Sequence, residues 1–257
     1  MPNDLPRNGV GRALIGDERN DENLAVAQTH LAFLKFHNAV VNFLSEGQPG
    51  LTSAEQFDEA RRIVTWHYQW IVLFDWVERL TEPGLVRKIK EQGRRFYRFK
   101  TTPYIPAEFS AAAYRLGHSM IREIYDYNRV FGTDPSALTP ASLQLLFGFT
   151  GKSGAIVGAL ADDPGVSPTP GIPGGKLRDL PGNWIIDWRR FFDLDAAVRP
   201  NASRKLDALV APALSTLPGE TDRNAVLAFR NLSRGVRGRA AVRTVSRAAY
   251  GARALGT

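Results

Sequence analysis

The chain has 257 residues, of which 44% are apolar, enough for a sizeable core in one large domain or two small ones. It has no cysteine, which excludes disulfides, thiolate catalysis, zinc fingers and thiolate-ligated haem. The net charge is +7, but from Arg223 onward there are eight Arg and no acid; the first 222 residues carry 25 basic and 26 acidic side chains. Basic character therefore belongs to the tail, which disfavours a nucleic-acid surface across the body. No stretch reaches the roughly 20 apolar residues of a membrane span, and no apolar leader follows Met1, so no signal peptide is visible.

In chain order, residues 1–21 are rich in Pro, Gly, Asn and Asp and read as irregular. A helix is expected from Asp21 or Glu22 to about Leu44, ended by Gln48-Pro-Gly50. Thr52-Ser-Ala-Glu55 is a capping box and predicts a second long helix reaching about Leu80. Its centre, Ile63 to Phe74, is apolar nearly all round and is expected to be buried among other helices. Residues 83–106 mix basic and aromatic side chains and predict a short helix and a loop.

Phe109 to Arg122 then reads as one helix with His118 at its centre and Ala112, Leu116 and Ile121 near one face. Gly117 costs about 1 kcal/mol relative to Ala in a helix, a cost more acceptable if something flat lies against the backbone. Arg115, three residues before His118, projects to the same side. A neutral imidazole beside a guanidinium suits a metal centre with an anionic periphery, and haem with its propionates is the obvious case. A hydrogen-bonded core histidine is the competing reading.

Thr139-Pro-Ala-Ser142 predicts a short helix to about Phe149, and the Pro- and Gly-rich stretch 162–182 a surface loop. Asn183 to Phe192 reads as a compact aromatic and basic helix, and Asp222 or Arg223 to Arg234 as another. Nothing alternates with period two, so the fold class is all-α. His30, His37 and His67 lack the spacing of a clustered metal site and are read as structural. Residues 236–257, biased to Ala, Arg and Gly, read as a disordered tail.

Three segments together carry a resemblance: Gly16-Asp-Glu-Arg19-Asn-Asp-Glu22-Asn with the helix ending in Phe36-His-Asn38, then Phe109 to Ile121, then Leu227-Ala-Phe-Arg-Asn231-Leu-Ser-Arg-Gly235. Asn183 to Phe192 looks similar too. In order and spacing, from about residue 12 to 235, they resemble the animal-type haem peroxidases of the peroxidase–cyclooxygenase superfamily, in a bacterial-like version. The resemblance implies a mainly α-helical haem peroxidase domain over residues 1–235. It would reduce hydrogen peroxide while oxidising a halide or a small organic donor. It also implies that His118 is the axial ligand of the haem iron, with Asn231 hydrogen-bonded to its other ring nitrogen. Arg19 would be the distal arginine that stabilises negative charge as the O–O bond breaks. Glu22 matches a position that forms an ester with a haem methyl in some members, so the haem would be b-type or ester-linked. Arg115 and Arg234 would lie near the propionates.

Each has a plainer reading: Arg19 a solvated charge, Glu22 an acid at a helix N-terminus, Asn231 and Arg234 helix-face polar residues. Asn23 excludes the methionine–haem sulfonium link of some members. Oxygenating relatives carry a radical-forming tyrosine at the position of Arg115, which favours peroxidase over fatty-acid oxygenase.

In the family, the distal histidine, its partner glutamine, the calcium-binding loop and a second ester-forming aspartate precede the matching segment. The expectation is a domain truncated at its N-terminal, distal side and lacking the calcium site. Loss of the distal acid–base group would cost about 10²–10⁴-fold in rate. A gene fragment, a misassigned start or a split gene whose other chain supplies the distal half would each explain it. A frameshift near residue 236 would explain the tail. Family members are often secreted; nothing in the sequence fixes localisation here. Two rival functions stay open: a non-catalytic haem-binding fragment, and a nucleic-acid or acidic-surface binder acting through the tail.

Overall fold

The computed structural model describes residues 3–111, 113–151, 180–217 and 220–237. The predicted loop 162–182, apart from its last three residues, lies outside these. So do Ala112 and the tail beyond residue 237. The chain divides into two units, one of Thr29–Tyr104 and one of Pro2–Gln28 with Ile105 onward.

The first unit is built on two long helices. Helix α1 spans Leu24–Gly47, beginning in the other unit. Helix α2 spans Ser53–Ile71 and opens on the predicted capping box: the Thr52 side chain accepts from the Glu55 amide while Glu55 accepts from the Thr52 backbone. A π-turn at Val72–Trp76 leads into α3, Val77–Leu80, so the helical run ends where the sequence places it. Helix α4 is Leu85–Gln92, closed by Gly93 at φ 77°, a conformation that favours glycine.

Within this unit Val40, Leu44 and Ala60 form a small core with Phe36, Val41, Ile63 and Val64. Phe33 meets Tyr68 edge-on, and Phe36 meets His67 likewise. The expectation that Ile63 to Phe74 is buried is not met. Trp66, Tyr68, Trp70, Ile71, Leu73 and Phe74 are exposed, because within its unit the core partner of α2 is α1, which covers one side.

The second unit is mostly irregular backbone and single helical turns around an aromatic core. Helix α5 is Ala107–Ala111, and a 3-10 helix covers Ala113–Met120. A two-residue antiparallel pair, β1 (Ile124–Tyr125) and β2 (Ala141–Ser142), is the one strand pairing among the described residues, beside isolated bridges of Arg7 with Ala13 and Phe131 with Thr139. Helix α6, Leu143–Gly148, is capped by Ser142 rather than Thr139. The predicted 183–192 helix is two 3-10 turns, Gly182–Trp184 and Trp188–Arg190.

At the far end the predicted helix from Asp222 is split. The break is at Val226, whose backbone is extended (φ −92°, ψ 106°), between a 3-10 turn Asp222–Ala225 and helix α7 at residues 227–237.

Trp184 is the centre of the core, stacked between Phe131 (ring centroids 3.8 Å apart) and Phe149 (4.0 Å). Asn128 locks the same region: its Nδ2 donates to the carbonyls of Asn183 and Ile185, and its Oδ1 accepts from the amides of Val130 and Phe131. A second small core of Leu143, Ala211 and Leu214 gathers Ile121 and Leu227. That cluster joins the segment after His118 to the start of α7, and so places the candidate site.

Candidate functional site

His118 lies in a 3-10 helix, where the sequence predicts an α-helix. In this tighter coil residues three apart eclipse, so Arg115 and His118 stand one above the other more closely than in an α-helix. The apolar face expected for this helix is also revised: Leu116 is exposed and the buried position is Ser119. The Ser119 hydroxyl donates to the Leu116 carbonyl (2.9 Å) and accepts from the Asp207 amide (3.4 Å). The Met120 carbonyl accepts from the Arg204 amide at 3.2 Å. These bonds fix the residues that follow His118 against the 204–207 backbone, and Ser119 was not singled out in the sequence.

Asn231, from α7, comes to His118 across 113 residues of chain: its Nδ2 is 2.8 Å from Nδ1 of the imidazole. With the nitrogen facing the ring, the amide donates to Nδ1, and Oδ1 is buried without a partner. Turning the terminal amide over exchanges two groups of nearly equal shape and makes Oδ1 the acceptor of an Nδ1–H. That second arrangement leaves Nε2 with a free lone pair, the form a metal requires. In either orientation one end of the amide is buried with no protein partner.

The electrostatics agree with a neutral ring. The His118 pKa lies below the usual histidine value, first because burial disfavours the cation, then through the charges of Arg115 and Arg234, with Asn231 opposing. The Arg115 guanidinium is in turn depressed by burial and by Arg234, Arg230 and Arg19. Its Nε is buried with no hydrogen-bond partner. Arg115 and Arg234 thus raise the potential at the imidazole, and Arg230 and Arg19 add to it at Arg115; among the described residues Arg19 and Arg230 are themselves paired with acids. Arg230 pairs with Glu220 at 3.1 Å. The sequence reading missed Arg230, although its i, i+4 spacing from Arg234 was a usable signal.

Arg19 is placed differently from the others. Its side chain is 77% exposed and is held in two-point contact by Asp17, which caps the 3-10 turn Glu18–Asp21. Glu22, half-buried at the end of that turn, adds to the negative potential on Arg19.

Haem fits the residues present on three observations of the protein itself. His118 is paired at Nδ1 and its pKa is lowered by burial and by Arg115 and Arg234, Arg115 has an orphaned buried donor amid like charges, and the space where a Gly117 side chain would stand is open. An anionic group bound there would relieve the mutual repulsion of the arginines. In the other unit, His67 Nδ1 is bonded to the Ile63 carbonyl, and His37 packs edge-on against Phe57. Among the described residues no three His, Cys, Asp or Glu side chains are grouped to hold a metal ion.

The irregular N-terminal stretch contains a network the sequence did not disclose. Arg7 is buried between Asp4 (2.9 Å) and Asp21 (2.6 Å), with side-chain exposures of 5–7%. Asp21 also accepts from the Gly151 amide, and Asp4 from that of Leu180. Three distant stretches are tied by one guanidinium, which precedes the turn bearing Arg19 and Glu22.

A family model described as animal haem peroxidase matches residues 3–146. That span contains Arg19, Glu22, Arg115 and His118, while Asn231 and Arg234 lie beyond it. A human protein named "Probable oxidoreductase PXDNL" is 34% identical over 121 residues, 46% of this chain and 8% of its own length. The chorion peroxidase of Drosophila melanogaster is 31% identical over 111 residues, 41% of this chain and 14% of its own. A peroxidase-like protein of Margaritifera margaritifera is 30% identical over 115 residues, 43% of this chain and 14% of its own. The chain thus spans a small fraction of the length of these relatives.

Proposed function

The chain belongs to the animal haem peroxidase family, whose model covers more than half of it, and on that premise we propose that it holds haem through His118 and serves peroxide reduction. His118 would ligate the iron through Nε2. Asn231 would accept from Nδ1–H, which fixes the ring's orientation and makes Nε2 a stronger donor. Arg115 and Arg234 would hold the anionic periphery of the group, and Glu22 would be the residue to form an ester link with it. When bound, haem would supply the redox chemistry that reduces hydrogen peroxide and oxidises a halide or an organic donor. Arg19 would contribute positive potential where charge develops on the peroxide. The observation that carries this reading is the 2.8 Å approach of Asn231 to His118 amid arginines.

The test is a haem titration of the chain and of His118→Ala, followed by the Soret band. A saturable shift in the wild type that is lost in the variant supports the assignment. Equal behaviour of the two removes His118 as the ligand.

A second reading is favoured by the engagement of Arg19 with Asp17 at the surface. In it the chain holds haem but does not turn over by itself. Peroxide consumption per haem, compared with free haemin, separates the two: a rate no greater than haemin's selects the second.

A further inference from the structure

We propose that the first unit carries a docking surface for an anionic phospholipid bilayer, formed by α4, the segment that follows it and the exposed aromatic end of the α2–α3 run. Between Leu85 and Tyr104 there are seven basic residues, Arg87, Lys88, Lys90, Arg94, Arg95, Arg98 and Lys100, against one acid, Glu91. All seven are exposed, and none forms an ion pair among the described residues. This block is hidden in the whole-body charge balance, because acidic residues elsewhere cancel it.

Apolar side chains stand among these charges. Phe96 is 98% exposed, and Ile89, Trp70, Leu73, Phe74 and Trp76 are exposed as well. The two sets are contiguous. The Lys90 ammonium lies 4.9 Å from the Phe74 ring centre, and Trp70 packs against Phe74. Beside them a cleft of about 420 Å³ is lined by Leu85, Ile89, Phe96 and Tyr97 and bordered by Lys88, Arg94 and Arg95.

Apolar groups level with a ring of cations are what the interface of an anionic bilayer accepts. The rings and aliphatic chains enter the acyl boundary while the ammonium and guanidinium groups stay among the headgroups. A single-stranded nucleic acid stacks successive bases on several open aromatic faces, and among the rings of this surface only Phe96 is almost fully exposed. Here Lys90 already covers Phe74, and Arg94 lies 4.2 Å over Phe99. The exposed Ile89 and Leu73 offer a base nothing, whereas a bilayer takes them. An acidic protein would satisfy the charges but leave Phe96 unexplained.

The surface is independent of the haem reading. Its test is co-sedimentation of the full chain with phosphatidylcholine vesicles, with and without phosphatidylserine. Binding is expected to the mixed vesicles, with a blue shift of tryptophan emission, and to weaken as salt rises. Removing each basic residue costs roughly fivefold in vesicle affinity. The full-length double variant Arg94→Glu/Arg95→Glu should therefore lose binding, and Phe96→Ser should weaken it while keeping the salt dependence. Both change exposed side chains, and unchanged far-ultraviolet circular dichroism would verify that the fold is kept. Undiminished binding by the double variant would mean that this surface is not the one engaged and overturn the proposal. So would capture of single-stranded RNA without vesicle binding, or equal binding to neutral and anionic vesicles.

Discussion

Asn231 and His118 approach to 2.8 Å through Nδ2 and Nδ1, joining α7 to the 3-10 helix of residues 113–120. The pair gives a direct test of the outer ligand shell. Asn231→Leu removes the acceptor for Nδ1–H with little change in bulk, and haem affinity should fall about 10–100-fold. Asn231→Asp keeps an acceptor and adds charge, so it should restore binding and lower the reduction potential of the bound haem. A spectroelectrochemical titration of the two variants reads both effects. A leucine variant that binds as well as the wild type would remove Asn231 from the site.

Titration of His118 should show its surroundings without any cofactor. Burial, Arg115 and Arg234 hold its pKa below the usual value of 6.5. The folded-state pKa is depressed, so the unfolded chain binds the extra proton first as pH falls. The histidine's contribution is therefore fully present above about pH 6.5 and is lost as pH falls from there to the lower folded value. The imidazole resonances of the haem-free chain should titrate with a midpoint below 6.5. Arg115→Gln should move that midpoint up by removing the like charge that acts on it most. A midpoint at or above 6.5 in the wild type would contradict the cationic setting.

Gly151 closes the buried charge network, and an alanine there has no room. Its Cβ would contact Asp21 Oδ2 and stand 2.5 Å from the Arg7 guanidinium and 2.9 Å from the Gly11 carbonyl. Gly151→Ala should destabilise the chain by about 1–3 kcal/mol through overpacking. Arg7→Met should cost more, about 3–5 kcal/mol, because it strands two buried carboxylates. Denaturant midpoints measure both. Equal losses in the two variants would mean that steric strain, not charge pairing, dominates at this position.

How much could be read in advance depended on whether the determinant was local. The Thr52–Glu55 capping box fixes the start of α2 within four residues, and the helical run ends near Leu80 as expected. His118 and its neighbour Arg115 were legible because three-residue spacing puts them on one side in either kind of helix. The form of that helix was not legible, since a 3-10 coil depends on tethers such as Ser119 to Asp207, 88 residues away. Arg7, Asp4 and Asp21 could not be read as a triad, because a buried ion pair in irregular backbone has no period. The exposure of Trp66 and Trp70 was also out of reach: an apolar sequence shows that a side chain would gain from cover, not that its unit provides it.

Asn128 offers the sharpest test of the aromatic core. It is 8% exposed and uses four hydrogen bonds, two as donor to the carbonyls of Asn183 and Ile185 and two as acceptor from Val130 and Phe131. Asn128→Asp keeps the shape and both accepted bonds but loses both donated ones. It also sets a carboxylate against two carbonyl oxygens. Since an unsatisfied buried polar group costs about 1–3 kcal/mol, and more when charged, the loss should reach the upper end of that range near neutral pH. The carboxylate's folded-state pKa would be raised, so protonation would relieve the repulsion. Stability relative to the wild type should then recover as pH falls toward the ordinary Asp range near 4. Asn128→Ala would show no such recovery. Urea midpoints of both variants across that range decide the matter, and a pH-independent aspartate variant would show that Asn183 and Ile185 are not held as described.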